Sequence, residues 1–264
     1  MSFILRSNTN PQLPYSCAVL VRLSSLYPVP YYSREYFPKN SFTAMAAYRN
    51  YHGCIIYSED LNCLEDGNWL NDTCIHMSML RLQSEYPQSS LLFMDPTVIS
   101  YFNLQLDSSE QILFIKDLDL LMKSYVFIPI SDRISLTSPS THWSLLVLHV
   151  PSLSFLHFDS IANKNKEAAN ITMKNLCSAF EYSNIPYEVP QAKTPQQPNS
   201  YDCGVYTVLM AETLAVELIG ANADLPSLKE HLEKTLSTLL GDSGSSIRSH
   251  RRMLRSFAES LPTR

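Results

Sequence analysis

Apolar positions along this chain fall either at helical spacing or in short continuous runs. From Val205 they fall at Val208, Leu209, Ala215, Val216 and Ile219, which is helical spacing, with Ser200 or Asp202 as candidate caps and Gly220 as a stop. Leu70 to Tyr86 reads as a second helix, with Ile75, Met79 and Leu82 on one stripe, Asn71 or Asp72 as its cap and Pro87 beyond its end. Further helices are expected over Thr97 to Leu106, Ala168 to Phe180 and Pro226 to Leu240. The last carries Leu228, Leu232, Leu236 and Leu239 on one face and a proline suited to a first turn. Continuous apolar runs mark the strands. Tyr125 to Ile130, Trp143 to Val150 and Leu153 to Ser160 are rich in apolar, β-branched and aromatic residues, and Pro151-Ser152 separates the latter two as a hairpin. Ile55 to Tyr57 is a short strand or turn, Leu91 to Met94 a brief buried segment, and Pro186 to Val189 an edge strand. Asp60 to Asp66 reads as a polar approach, Ser131 to Thr141 as a polar loop, and Gly241 to Ser246 as a flexible break. The expected fold class is α+β, an antiparallel sheet packed against helices.

Composition narrows the choices. The 264 residues, 45% hydrophobic and 17% charged, suit one domain with an extension, or at most two small domains. A net charge of −5 argues against nucleic acid or an anionic membrane as the main partner, and no run approaches the length of a transmembrane helix. The six cysteines, at 17, 54, 63, 74, 177 and 203, form no CxxC pair and no regular framework. They suit a reducing compartment, the cytoplasm or nucleus, where a catalytic thiol stays free. No cofactor or metal is expected. His76 follows Cys74 by two residues, but no second pair matches it, and it reads as a packed helix histidine.

One cysteine differs from the rest. Cys203 opens the Val205 helix, where the dipole and free N–H groups favour a negative sulfur and a lowered pKa. A cysteine before an apolar helix is more often a small core residue, so the reading needs a base. His142 supplies one at the start of a strand, and Asp159 closes the next strand at the same end. A hairpin centred between Val150 and Pro151 sets His142 opposite Asp159, and a centre one residue later moves the partner by two positions, still within side-chain reach. The carboxylate would hold the imidazole's tautomer and stabilise its charged form. Gln197, six residues before Cys203, adds an amide able to donate to an oxyanion beside the Cys203 N–H.

His142-Trp143-Ser144, Phe158-Asp159-Ser160, Gln197 with Asp202-Cys203-Gly204, and Trp69-Leu70-Asn71-Asp72 occur in one order along the chain. Together they resemble the ubiquitin-like-protease family of cysteine peptidases, which includes the SUMO (sentrin) proteases and the deneddylase, over about residues 54 to 256. Within the family the likeness is strongest to the deneddylase branch, through Thr141 to Val147, Asn199 to Gly204, and Asp95 to Val98 on through Asp117-Leu118-Asp119-Leu120 to Ile128-Pro129-Ile130-Ser131-Asp132. The resemblance implies a papain-like fold in permuted order, histidine before cysteine. It implies cleavage after the Gly-Gly end of a ubiquitin-like modifier, the neddylation modifier first and SUMO second, as precursor or protein conjugate, by a monomeric enzyme. It also implies that Trp69 and Trp143 flank a narrow tunnel through which only glycines pass. Asp72 is then a candidate partner for a basic residue in the modifier's tail, with Asn71 beside it, although helix capping is an equal rival for both. An acyltransferase on the same scaffold and an inactive modifier-binding protein are the readings from other classes.

The remaining features attract no chemistry. Residues 1–53 carry arginines, tyrosines and prolines with no acid before Glu35, and form an N-terminal extension ahead of a catalytic domain over residues 54–264. The extension reads as poorly ordered or as a transit peptide, and Met45 is an alternative start that would make what precedes it a gene-model artefact or an isoform. His149 and His157 are expected to be structural. Arg248, Arg251, Arg252 and Arg255 read as a solvated helix face, with an acidic partner patch as the alternative.

Overall fold

The computed structural model describes residues 48–87, 90–221, 223–240 and 243–264. The readings placed on residues 1–47, including Cys17 and Met45, lie outside these. A hairpin of β1 (Arg49–Tyr51) and β2 (Cys54–Ile56) straddles the boundary expected at residue 54. Tyr48 and Arg264 exchange backbone hydrogen bonds, so this hairpin is held against the last residues of the chain.

The centre is a four-stranded sheet in the order β3 (Leu91–Phe93), β4 (Tyr125–Ser131), β5 (Trp143–His149), β6 (Ser154–Phe158). It is mixed, not purely antiparallel. β3 runs parallel to β4, while β4, β5 and β6 pair antiparallel. Strand alternation sorts its side chains onto two faces. Leu91, Phe93, Tyr125, Phe127, Leu145, Val147, Leu156 and Phe158 join one core with α2 (Asp72–Glu85), α6 (Cys203–Leu218), α7 (Leu225–Leu240) and α8 (Ser243–Ser260). Leu92, Val126, Ile128, Leu146, Leu148 and Phe155 join the other with α3 (Pro96–Leu104), α4 (Ser108–Asp117) and α5 (Lys166–Ala179). The sheet is therefore buried on both faces, and its strands read as near-continuous apolar runs.

Several expectations shift. The polar approach at Asp60 contains a helix, α1 (Ser58–Cys63), whose Asp60 carboxylate accepts the Tyr57 N–H at 2.8 Å and the Asn71 side-chain amide at 2.7 Å. Pro186 to Val189 is not a strand. The edge contact falls later, where Pro190 and Ala192 bond the backbone of His157 and Gln191 forms a single parallel bridge. The break expected over 241–246 is shorter, because α8 has begun by Ser243. Gly220, with φ of 73°, follows the end of α6 as expected.

One close approach and one hairpin register shape the site. A Cβ on Gly204 would lie 2.8 Å from the Leu70 Cβ, so only glycine lets α6 lie this close to the segment before α2. The β5–β6 loop pairs His149 with Ser154, which is the later of the two hairpin centres. By that register His142 is aligned two residues beyond Asp159.

Candidate active site

His142, Asp159 and Cys203 come together at the end of the sheet where β5 starts and β6 stops. His142 precedes β5, so strand alternation does not dictate its direction. Its Nε2 lies 2.6 Å from the Asp159 Oδ1, with both side chains buried. That contact occupies one ring nitrogen. Nδ1, buried and without another hydrogen-bond partner, is left toward Cys203, whose thiol interacts with the ring. Cys203 is buried as the first residue of α6. Ser200 and Asp202 do not cap that helix, contrary to expectation. Asp202 sits at the cap position, but its carboxylate turns to Arg251 and Asn199. The first-turn amide dipoles therefore remain directed at the reacting position.

Burial opposes a charge on His142, but the Asp159 carboxylate and the Cys203 sulfur outweigh it and lift the imidazole from 6.5 to about 9. A charged imidazole beside a sulfur is the setting that makes cysteine nucleophilic near neutral pH. Burial likewise tends to raise Asp159, yet the His142 bond and the N–H groups of Asn165 (2.9 Å) and Ile161 (3.0 Å) hold it below 3.8. The carboxylate thus accepts hydrogen bonds at both oxygens. It is fixed before His142 is considered.

A supporting shell escaped sequence reasoning. Asn165 donates its side-chain N–H to the Ile130 carbonyl at 3.0 Å, the Ser144 hydroxyl at 3.1 Å and the His142 carbonyl at 3.3 Å, so one buried amide ties β4, β5 and α5 together. Asp132 accepts from the N–H groups of Thr141 and His142 at 2.7 and 3.1 Å, closing the loop that leads into the histidine. Arg251 is the largest surprise among the expected solvent-facing arginines, since it is almost wholly buried. It donates to the Cys63 and Glu65 carbonyls at 3.1 and 3.0 Å and to the Asp202 carboxylate at 2.8 Å. Arg255 pairs at the surface with Glu65 and Glu259, and Arg252 is exposed as expected. Arg251→Met would strand a buried carboxylate and two carbonyls, at an expected cost of roughly 3–5 kcal/mol. The exposed Arg252→Met should change stability by under about 0.5 kcal/mol. Equal urea midpoints for the two variants would remove the clamp from the account.

The other candidate residues occupy mixed positions. Gln197 accepts from the Ser160 hydroxyl at 2.7 Å and donates its amide N–H to the Asn199 carbonyl at 2.6 Å, leaving the second N–H of that amide for a reacting oxygen. Trp143 is buried, and its indole N–H donates to the Leu70 carbonyl at 3.0 Å, whereas the adjoining Trp69 is 48% exposed. Asn71 caps α2, accepting the Cys74 N–H at 3.0 Å, so both ends of its side-chain amide serve the fold. Asp72 pairs with Arg133 from the loop before His142 at 2.6 Å. Any basic residue brought to Asp72 would have to share it. His157 bridges Ser144 and Gln191, and His149 bonds Ser152, both as structural groups. Among the described residues, no group of three or more His, Cys, Asp or Glu is placed to hold a metal.

The family model for the Ulp1 protease family, C-terminal catalytic domain, matches residues 68–240, most of the chain and every candidate residue from Trp69 to Cys203. The chain belongs to the Ulp1 protease family. This Ulp1-family cysteine peptidase is 29% identical over 180 residues to sentrin-specific protease 8 of Rattus norvegicus, covering 67% of the chain and 83% of that protein. It is 25% identical over 206 residues to NEDD8-specific protease 1 of Arabidopsis thaliana, covering 72% and 91%. Among solved structures, the C-terminal Ulp1 protease domain in complex with Smt3, the yeast ortholog of SUMO, superposes with a TM-score of 0.54 at 16% identity, covering 82% of this chain and 88% of that one. At that identity the likeness shows the Ulp1 fold, papain-like and α+β.

Proposed function

We propose that this Ulp1-family peptidase releases a NEDD8-type ubiquitin-like modifier by cutting after its C-terminal glycine, on conjugates or on the precursor. The observation that carries the chemistry is the buried His142–Asp159 pair with its free ring nitrogen toward Cys203. In this reading Cys203 attacks the terminal glycine carbonyl as a thiolate, and His142, which already holds the proton, gives it to the leaving amine. Asp159 holds the imidazole's orientation and its charge. The Cys203 N–H and the spare Gln197 amide N–H stabilise the oxyanion. Water then attacks the thioester, with His142 now acting as base, and frees the modifier. In this reading the Trp69 to Asp72 segment and Trp143 take the extended Gly-Gly tail, with the half-exposed Trp69 as the outer wall. The relatives named as NEDD8-specific and sentrin-specific proteases support the choice of modifier.

The proposal is tested by exposing the protein and its Cys203→Ala variant to C-terminal propargyl probes of NEDD8, SUMO and ubiquitin. Labelling by the NEDD8 probe alone, absent from the variant, is the expected result. Preference for the SUMO probe would retain the mechanism and replace the substrate. No labelling, together with acetyl transfer to lysine, would make the chain an acyltransferase; binding without labelling would make it a modifier-binding protein. Gln197→Ala should lower turnover by roughly a hundredfold if it is an oxyanion donor, and an unchanged kcat would reduce it to a tie between Ser160 and Asn199.

A further inference from the structure

The cysteines outside the site are of two kinds. Cys54 and Cys177 are single thiols that burial pushes up, Cys177 to about 11. Cys63 and Cys74, in contrast, interact with one another across the junction of α1 and α2, their sulfurs set against the neighbouring carbonyls of Glu59 and Asp60. Cys63 is the last residue of α1 and is partly exposed, while Cys74 is buried in the first turn of α2.

The backbone around them is held in place without the sulfurs. Asp60, one turn before Cys63, accepts from the Asn71 amide at 2.7 Å, and Asn71 caps the N–H of Cys74 at 3.0 Å. The Cys74 thiol also lies 3.3 Å from the Asp60 carbonyl, which brings it alongside the α1 helix, and the Cys63 thiol lies 3.5 Å from the Glu59 carbonyl. The hydrogen bond from Cys74 draws Cys63 below its ordinary value, and Cys63 together with burial holds Cys74 above it. A partly exposed sulfur beside a sheltered one is the arrangement of an attacking and a resolving thiol.

We propose that Cys63 and Cys74 are a peroxide-oxidisable dithiol, separate from Cys203, that closes to a disulfide joining α1 to the first turn of α2. The Cys63 thiolate attacks one oxygen of hydrogen peroxide, the O–O bond breaks, and the departing hydroxide takes a proton to leave as water. Cys63 is then a sulfenic acid. The Cys74 sulfur attacks the Cys63 sulfur, the S–O bond breaks, and the hydroxide leaves with the Cys74 proton as a second water. Two thiols and one peroxide thus give one disulfide and two waters, with two electrons passing from sulfur to oxygen. The cross-link encloses Trp69, Leu70, Asn71 and Asp72, the segment that meets the Trp143 indole and the Gly204 backbone.

The test uses the full chain carrying Cys203→Ala, so that oxidation at position 203 cannot contribute. After stoichiometric hydrogen peroxide, free thiols are blocked with N-ethylmaleimide and the protein is digested without reductant. The expected product is a pair of peptides joined through Cys63 and Cys74, two hydrogens lighter than their sum, lost with dithiothreitol and absent from Cys63→Ser. In a Cys74→Ser background Cys63 should instead accumulate as a sulfenic acid that dimedone traps. Maleimide on both cysteines after oxidation would overturn the proposal. So would Cys63 advancing to sulfinic acid while Cys74 stays a thiol, and because both of these are read on the native Cys63–Cys74 pair, they do not depend on Cys74→Ser folding.

Discussion

Cys203→Ser is expected to lower kcat by roughly a million-fold, the scale seen when an attacking group acting as part of a unit is removed. Serine keeps the size and the place of the side chain at the start of α6. What it loses is a sulfur that can carry charge beside His142, because a hydroxyl there would have to give up a far less acidic proton. Binding of the modifier should persist, since the variant leaves the Trp69 to Asp72 segment and the sheet untouched. The measurement is single-turnover cleavage of a NEDD8 fusion, together with titration of intact NEDD8 onto the variant. Turnover within tenfold of the parent would exclude Cys203 as the nucleophile. Loss of binding alongside loss of turnover would mean that the substitution had damaged the fold, and Cys203→Ala would then be needed to decide the point.

Asp159→Asn should lower kcat by about ten-thousand-fold and shift the pH dependence of what activity remains. With Asp159 present, His142 keeps its proton up to about 9 despite burial. Activity that requires the charged imidazole should therefore hold across neutral pH and fall above about 9. Without the carboxylate, burial is the stronger influence, and the alkaline limb should move down toward 6.5 or below. The same groups give stability a definite sign. The raised pKa of His142 contributes fully below 6.5 and is lost as pH rises through about 9, whereas the lowered pKa of Asp159 contributes above 3.8 and is lost as pH falls through its depressed value. The pair therefore stabilises most between those ordinary values, and the variant should lose that advantage in urea melts at pH 5 to 6. An alkaline limb that stays near 9 in Asp159→Asn would mean that some other group holds the proton on His142.

Helical periodicity located α2, α3, α5, α6 and α7, and continuous apolar runs located the three long strands, because each pattern follows the burial of its element, whereas α4 was not expected. The chemistry of the site was legible for a related reason. His142 and Asp159 flank the same end of neighbouring strands, so a short hairpin brings them together whichever of two centres it adopts. The sequence did not discriminate between those centres, and the loop that fills the four positions from Val150 to Leu153, with Leu153 at φ of 47°, selects the later one. What stayed hidden was fixed by contacts remote in the chain. The α1 helix has little pattern of its own and depends on the bond between Asp60 and Asn71. Arg251 looked like its exposed neighbours because its acceptors, at Cys63, Glu65 and Asp202, belong to segments far upstream. Gly204 was visible as part of a motif, but the reason for it, Leu70 pressed against the helix, was not.

The arginine clamp also has a bearing on the order in which a working enzyme comes into being. Asp202, beside Cys203, is held by a side chain 49 positions further along the chain, so during synthesis the Cys203 thiol leaves the ribosome well before the arginine that secures its neighbour. A nascent chain can place His142 against Asp159 as soon as β5 and β6 pair, yet its thiol loop stays unfastened until α8 docks. The interval between the two events includes the time taken to translate α7 and α8.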